Sequence, residues 1–424
     1  MADHSPEVLH HAALDTRMLA AVRGIKLLTL VSWPVEVQQA FLAQWTRGGT
    51  ALPQVVYRQH DFSEARRELD AIMMAADSSH PLGRYLCESA RSWSIAAELL
   101  EALGTHAVTT HSLRLFGHPD APLPGNGPTT REAARHFIDI ADELDRELLA
   151  PSEQIAISAT ALQLQLQSDL DDFFNQRVIE VVLDPDLIAK AAAGATRIRL
   201  RSGAAFSDYD RHQLLEHEAF VHSLTALNGR EQPLLPSLAL SSPRTTATQE
   251  GLATFAEQIT GSIDIERMKR VSLRIEAVAM ALSGADFVQV FRYFLDAGQD
   301  EVESFSSAQR VFRGVPLTGG AAFTKDTVYL RGLIGVHTFF RWALKHRKLR
   351  LCRLLFAGKM TLADVQRFEP LFDGGPAGPV LVPPRWLPQW VSRANGLAGM
   401  LAFSLFANRI HLDQIASEQA LLDL

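Results

Sequence analysis

The sequence predicts an α+β fold that is predominantly helical, with an N-terminal helical region and a small β-sheet. Three observations carry this reading. Before residue 160, the apolar residues of PVEVQQAFLAQW, FSEARRELDAIMMAA and RSWSIAAELLEAL recur at three- and four-residue intervals, the period of one helix face. Near residue 178 the pattern changes, because VIEVVL is rich in β-branched residues and Arg197 to Arg201 alternates charged with apolar side chains. Helical periods then return, and hydrophobic residues fill 47% of the 424 positions, enough for a large core. The chain divides on this basis into an N-terminal helical region, 1–160, and a second unit, 170–424, that closes with further helices.

Local signals place the elements in order. The segment 119–130, PDAPLPGNGPTT, concentrates turn residues, and Thr129 with Glu132 forms a capping box for the helix that follows. Ser207 and Asp210 are a second capping pair, opening DRHQLLEHEAFVHSLTAL as the central helix. Thr246 with Gln249 is read as a third, ahead of EGLATFAEQITG. The stretch 310–330 reads as short strands and turns, and 373–384, DGGPAGPVLVPP, as a loop. The basic run RWALKHRKLRLCR at 341–353 fits a helix with one apolar and one charged face.

Composition excludes several function classes. A formal charge of -7 gives no broad attraction for a polyanion, so nucleic acid is not an expected partner. Two distant cysteines, Cys87 and Cys352, make neither a disulfide framework nor a CxxC metal site, and a cytoplasmic, reducing compartment is expected. The apolar piece at 25–35 is too short to cross a bilayer, and no transmembrane segment is expected. No dinucleotide or phosphate-loop fingerprint is present.

The chemistry concentrates in HEAFVH, residues 217–222. Histidines five apart on an ideal helix differ by about 140° around the axis, against about 40° for four apart. One wide π turn, advancing roughly 80–90° per residue, returns both to one face, so a widened helix is expected between His217 and His222. A hydrolytic zinc site takes three protein ligands and leaves a position for water. Glu250, in TQEGLATF, completes the set with His217 and His222, and Gly251 leaves room for a close approach. Glu218, beside His217, is placed to take a proton from water rather than to bind Zn2+. His212 continues the five-residue spacing, but its angular offset points it to the surface, to a cap, or to a place behind a ligand rather than to the metal. Glu257, seven residues after Glu250 and on the same helical face, is a candidate partner for a histidine ligand, although an ordinary charged helix face explains it equally simply. His337, in HTFFRW, could frame a pocket, and helix amphipathicity explains it as well.

The elements FSDYDRHQLLEHEAFVH, NGREQP at 228–233, TQEGLATFAE at 248–257, VFRG at 311–314 and FTKDTVYLRG at 323–332 together resemble the bacterial QEGLA-motif proteins once named for modulating flavohaemoglobin expression. That family of unknown function is related to the microtubule-associated tyrosine carboxypeptidases. The resemblance covers about 20–370. It implies a zincin-like metallopeptidase domain over 170–424, with zinc held by His217, His222 and Glu250 and with Glu218 as the catalytic glutamate. HEAFVH departs from the frequent HEIxTH form by carrying bulky Phe220 in its middle. Arg313, Lys325 and Tyr329 fall in the family-like FRG and FTKDTVYL elements and are candidates for positioning substrate: arginine can hold a carboxylate with two bonds, lysine adds charge, and a phenol can donate to an oxyanion. Asp326 is a possible partner for Lys325.

The expected activity is zinc-dependent hydrolysis of peptide bonds, with removal of a C-terminal residue from a peptide or protein tail. Two alternatives stay open: a noncatalytic regulatory or interaction protein that retains zinc, and a zinc hydrolase of small amides. Oligomeric state is not readable from the sequence.

Overall fold

A computed structural model of the chain describes residues 4–123, 127–144, 156–185, 187, 190–373 and 378–408. The fold is α+β and predominantly helical, and among the described residues the strands all fall between 157 and 206.

The N-terminal region is helical. Helix α1, Pro6–Val22, opens with Pro6 at its first position, and the Ser5 hydroxyl accepts from the Val8 amide. Helices α2 (Pro81–Glu101), α3 (Ala107–Phe116) and α4 (Thr130–Glu143) follow, the last started by the expected Thr129–Glu132 capping box. These helices reach deep into the rest of the molecule. Buried Asp15 of α1 accepts from the Ser237 amide at 3.0 Å and from its hydroxyl, and Tyr85 of α2 meets the same hydroxyl at 2.8 Å. One stretch, inside Pro6–Trp45, is long and apolar enough to cross a membrane by length and composition. It is nevertheless divided into three helices, Pro6–Val22, Leu27–Leu30 and Val35–Trp45, which send Leu14, Met18, Leu27 and Phe41 into the core.

The small sheet has the order β2-β4-β3, with β2 (Glu180–Asp184) parallel to β4 (Arg197–Arg201) and β3 (Ala191–Ala193) antiparallel to it. In β4 the alternation seen in the sequence becomes burial: Ile198 and Leu200 are inside, and Arg197 and Arg199 face out to pair with Glu180 and Asp184. Helix α5, Ala159–Phe174, packs beside the edge strand. There Gln163 donates to the Val181 carbonyl, and Gln167 both donates to the Ile179 carbonyl and accepts from the Val181 amide. A two-stranded ribbon of β1 (Ile157–Ser158) and β5 (Ala205–Phe206) ends just before the central helix.

The central helix has three parts: α6 (Asp208–Gln213), a π-helical segment (Leu214–Ser223) and α7 (Leu224–Arg230). Helices α8 (Thr246–Thr260), α9 (Ile265–Leu282), α10 (Glu301–Val311), α11 (Val328–Lys345) and α12 (Ala394–Ala407) complete the elements that matter for the site. Phenylalanine fills the space between them. Phe255, Phe287, Phe291, Phe305, Phe312 and Phe340 are all fully buried, and Phe287 makes edge contacts with Phe41 and Phe305.

Three local expectations are corrected. No strand forms in 310–330: α10 ends at Val311, Thr324–Thr327 is a 3-10 turn and α11 begins at Val328. Amides of this stretch are satisfied by α3 hydroxyls instead of a neighbouring strand, with Thr109 accepting from Ala322 and Ser112 from Thr324. Thr246 does not cap α8, because a 3-10 turn at Pro243–Thr245 runs directly into the helix and places Thr246 inside it. The basic run 341–353 is not one helix. It breaks after Lys345, with Arg347 in the left-handed region, and Lys348 and Arg350 pair with Glu369 and Asp373. The two breaker-rich segments, 119–130 and 373–384, lie partly outside the described residues.

Candidate metal centre

Ser207 and Asp210 form the expected capping box and fix the start of the central helix. The backbone then widens over ten residues into the π-helical segment, more than the single turn the spacing required. Widening turns His217 and His222 toward each other, with ring centroids 4.8 Å apart. Ser223 secures the end of the segment to the sheet by donating to the Gly194 carbonyl at 2.8 Å. Phe220 packs against Phe173 of α5, the rings tilted by 39° with centroids 4.5 Å apart, so its bulk is absorbed by packing.

Glu250 arrives from α8. Its Oε2 lies 3.5 Å from His217 Nε2 and 3.6 Å from His222 Nε2. One donor atom from each residue falls within 4.8 Å of the others, and no other such group of His, Cys, Asp or Glu is found among the described residues. Gly251 makes this approach possible: a Cβ there would stand 2.1 Å from the Gly332 backbone of α11, so only glycine lets the two helices touch. The expected close approach at Gly251 is therefore of backbone.

The surroundings prepare these atoms for a cation. Glu257 is fully buried and meets His217 Nδ1 at 2.5 Å. A carboxylate only accepts, so Nδ1 carries the hydrogen and Nε2 keeps its lone pair for a metal. Arg267 of α9 holds Glu257 with two guanidinium bonds. Without a metal, hydrogen bonds to Glu250 and Glu257 outweigh burial and lift the imidazole to about 10, so a cation that takes Nε2 has to displace a proton from that atom while Glu257 keeps the one on Nδ1. Burial would likewise raise the Glu250 carboxyl, yet the Lys325 ammonium and both imidazoles hold it well below the usual range. Two imidazoles, a carboxylate that stays ionised and a buried acceptor behind one ring are a donor set suited to Zn2+. Glu218 Oε1 stands 4.0 Å from His217 Nε2, beside the cluster and outside it. His212 is turned away and bonds the Asp208 carbonyl of its own helix.

Facing the cluster is a wall of cations. Lys325 Nζ donates to Glu250 Oε1 at 2.8 Å and lies 3.5 Å from the Tyr329 hydroxyl. Arg310 Nη2 lies 3.4 Å from the same hydroxyl and also holds Asp326. Asp326 is thus bonded to Arg310, not to Lys325. Both neighbours of the phenol are donors, so its oxygen accepts from them and its hydrogen is free to point elsewhere. Arg313 follows α10 in the turn closed by Gly314, whose φ is +78°; the Gly314 amide donates to the Tyr57 hydroxyl at 2.7 Å. Among the described residues no hydrogen bond reaches the Arg313 Nε, and burial together with the Arg310 charge lowers its guanidinium to about 10.

Several residues that shape the site carried no signal in the sequence. Arg267 and Arg274 are two of several charges on α9 and Arg310 lies on α10, and where those helices meet depends on packing. Lys359 is buried and donates to Ser241; burial lowers its ammonium to about 8, although the nearby Glu250 and Glu218 carboxylates favour its charge. NGREQP, recognised as a motif, has a structural use. Asn228 donates to the Phe356 and Trp386 carbonyls and accepts from the Arg385 and Trp386 amides, while Gln232 bonds Ala357 and Val382. His337 lines a cavity of about 1110 Å³ with Leu215, Glu216, Phe220 and Trp390, and none of the three candidate ligands borders that cavity.

A predominantly helical α+β chain with a buried His-His-Glu cluster is a candidate metalloprotein. The model of the family described as microtubule-associated tyrosine carboxypeptidase matches residues 39–409, and the chain belongs to that family. A search of curated proteins returns no match.

Proposed function

We propose that the chain is a zincin-like zinc metallocarboxypeptidase that removes one residue from the C-terminus of a peptide or protein tail. The observation that carries this reading is the convergence of His217, His222 and Glu250, with Glu218 beside them. The family's name supports the reaction class. When bound, zinc would supply a Lewis acid that polarises the scissile carbonyl and makes water acidic.

The chain's own residues do the rest. His217 and His222 present neutral nitrogens, and Glu250 presents Oε2 while Lys325 neutralises its other oxygen. Glu218 takes the proton of the attacking water and passes it to the departing amine, since a carboxylate in that place can serve as base and then acid. Tyr329 donates its free hydrogen to the oxyanion that forms as the carbonyl is attacked. Arg313 grips the terminal carboxylate and Lys325 adds positive potential, so the distance from the clamp to the cluster sets cleavage one residue from the end.

The test uses the zinc-loaded protein and matched peptides ending in a free carboxylate or an amide, with products identified by mass. Single-residue release from the free acid, weakened more by Arg313→Ala than by an alanine at an exposed arginine, is the expected pattern. Equal cleavage of both ends, or cuts at internal bonds, rejects the carboxypeptidase assignment. Metal analysis after His217→Ala, His222→Ala and Glu250→Ala tests the ligand set, and undiminished zinc in all three removes it.

A further inference from the structure

The cavity of about 1110 Å³ beside the central helix takes no part in the proposed reaction. The π-helical segment serves two places. His217, Glu218 and His222 gather at the cluster, whereas Leu215, Glu216 and Phe220 of the same segment line the cavity, which none of the three candidate ligands borders. The walls are completed by Phe173 of α5, Ile259 near the end of α8, Trp390, and Leu397 and Met400 of α12. Phe173, Leu215, Ile259, Trp390 and Met400 are only half-buried. An apolar, aromatic lining with few polar groups, in a space on the order of 1,000 Å³, is the usual form of a small-molecule site.

The charges of the lining are unequally matched. Arg211 and Asp169 neutralise each other at 2.7 Å. Glu216 has no such partner: among the described residues no donor or cation reaches its carboxylate, and its Oε2 is buried with no hydrogen bond. The other basic groups of the lining do not supply one. Arg393 is exposed and makes no ion pair with Glu216, His212 bonds the Asp208 carbonyl, and burial beside Arg341 holds His337 below the usual imidazole range. Exposed Asp172 adds a second carboxylate without an ion pair among the described residues.

Water alone can hydrate Glu216 but leaves the apolar walls wet, and a hydrocarbon covers the walls while stripping the carboxylate of its hydration. One molecule with an apolar body and a positive head answers both. We propose that the cavity is a binding site for a small organic ammonium, whose head donates to Glu216 and whose body lies among Phe173, Phe220, Trp390 and Leu397. The aromatic rings add their own attraction for a cation. This site stands whether or not the cluster hydrolyses peptides.

The test measures binding of phenylbutylammonium and of its neutral analogue phenylbutanol to the full, zinc-loaded chain by titration calorimetry. A charge-assisted hydrogen bond should favour the ammonium by about tenfold. Glu216→Gln is expected to bring that ratio close to one, and a ratio of affinities is independent of how much of a variant is folded. Gly396→Trp gives a second reading that leaves Glu216 in place. Gly396 lines the cavity, and a Cβ there meets no atom within 4 Å, so the added ring has room and should weaken both probes. An ammonium that coordinated zinc would be indifferent to both substitutions. No saturable binding of the ammonium, a wild-type ratio near one, or a ratio kept in Glu216→Gln overturns the ammonium site, and affinities untouched by Gly396→Trp place binding outside the cavity. Tighter binding of an end-blocked peptide with one internal lysine would give the cavity to a protein partner instead.

Discussion

The candidate metal centre and the NGREQP region are both built from buried polar residues, and they use them in opposite ways. Around the centre the groups are ionic, and the arrangement leaves donors and acceptors over: Nε2 of both histidines, Oε2 of Glu250 and the Tyr329 hydrogen. Around NGREQP the groups are amides, and they are consumed. Asn228 alone engages two carbonyls and two amides, and Gln232 engages three more backbone groups. A buried group whose bonds are all spent on backbone holds the fold, and one with capacity left over is available to a ligand. Motif membership therefore does not by itself assign a residue to chemistry.

The comparison is most sharply tested at Glu218. Glu218→Gln removes a base without removing a ligand, so kcat should fall by about 10²–10⁴-fold. Zinc content, read by metal analysis of the same preparation, should stay at the wild-type level. Undiminished turnover would remove Glu218 from the mechanism, and loss of zinc would place it among the ligands.

The opposite result is expected in the scaffold. Asn228→Ala strands the Phe356 and Trp386 carbonyls and the Arg385 and Trp386 amides, a loss of about 2–4 kcal/mol in unfolding free energy by denaturant titration. Zinc affinity of the folded fraction should be unaltered. A variant as stable as the wild type would show that these bonds are replaced by water and that the division between the two regions is false.

Asp15 separates them on a pH axis. It is a buried carboxyl of the scaffold that, among the described residues, pairs with no cation and bonds only Ser237, and burial raises it from 3.8 to about 6 despite those bonds. Between these values the unfolded chain has lost the proton and the folded chain keeps it, so the contribution is present below about 4 and lost as pH rises through about 6. The loss approaches about 3 kcal/mol for a shift of this size. Urea titrations of the wild type and Asp15→Asn across pH 4.5–7.5 should diverge in favour of the variant as pH rises, then run parallel. Constant separation across that range would show that Asp15 does not titrate there.

Much of this was legible in the sequence where a pattern is local. The two capping boxes, strand β4 and the widened helix follow from residues within a few positions of one another, and the angular mismatch of His217 and His222 stated what the backbone had to do. Glu250 was legible through its chemistry and motif. The supposed strands in 310–330 failed because the groups that satisfy that backbone, Thr109 and Ser112, lie over 200 residues earlier in the chain. Arg267, Arg274, Arg310 and Lys359 were invisible for a similar reason. A cation among the charges of a helix reads as a solvated face until packing closes over it, and Lys359 follows a short helix in a bend where no period marks it.

The smallest expected effect falls on Glu257, which belongs to both regions: it is fully buried and satisfied like Asn228, yet what it satisfies is a ligand. Its carboxylate accepts from His217 Nδ1 and from Arg267, and so fixes which ring nitrogen faces the cluster. Glu257→Gln keeps the size but brings an NH2 group that cannot accept from Arg267 or from Nδ1. If the amide turns its NH2 to His217, the ring hydrogen moves to Nε2 and blocks the lone pair; if it turns its oxygen there, the NH2 opposes the guanidinium. Either orientation weakens the site without deleting a ligand, and loss of such a supporting contact typically costs 10–100-fold in metal affinity. Competition with a chelator of known affinity measures it directly, and kcat at saturating zinc should fall less than the affinity does. Equal zinc affinity in Glu257→Gln, with reduced unfolding free energy, would move Glu257 wholly to the scaffold side and leave His217 oriented by packing alone.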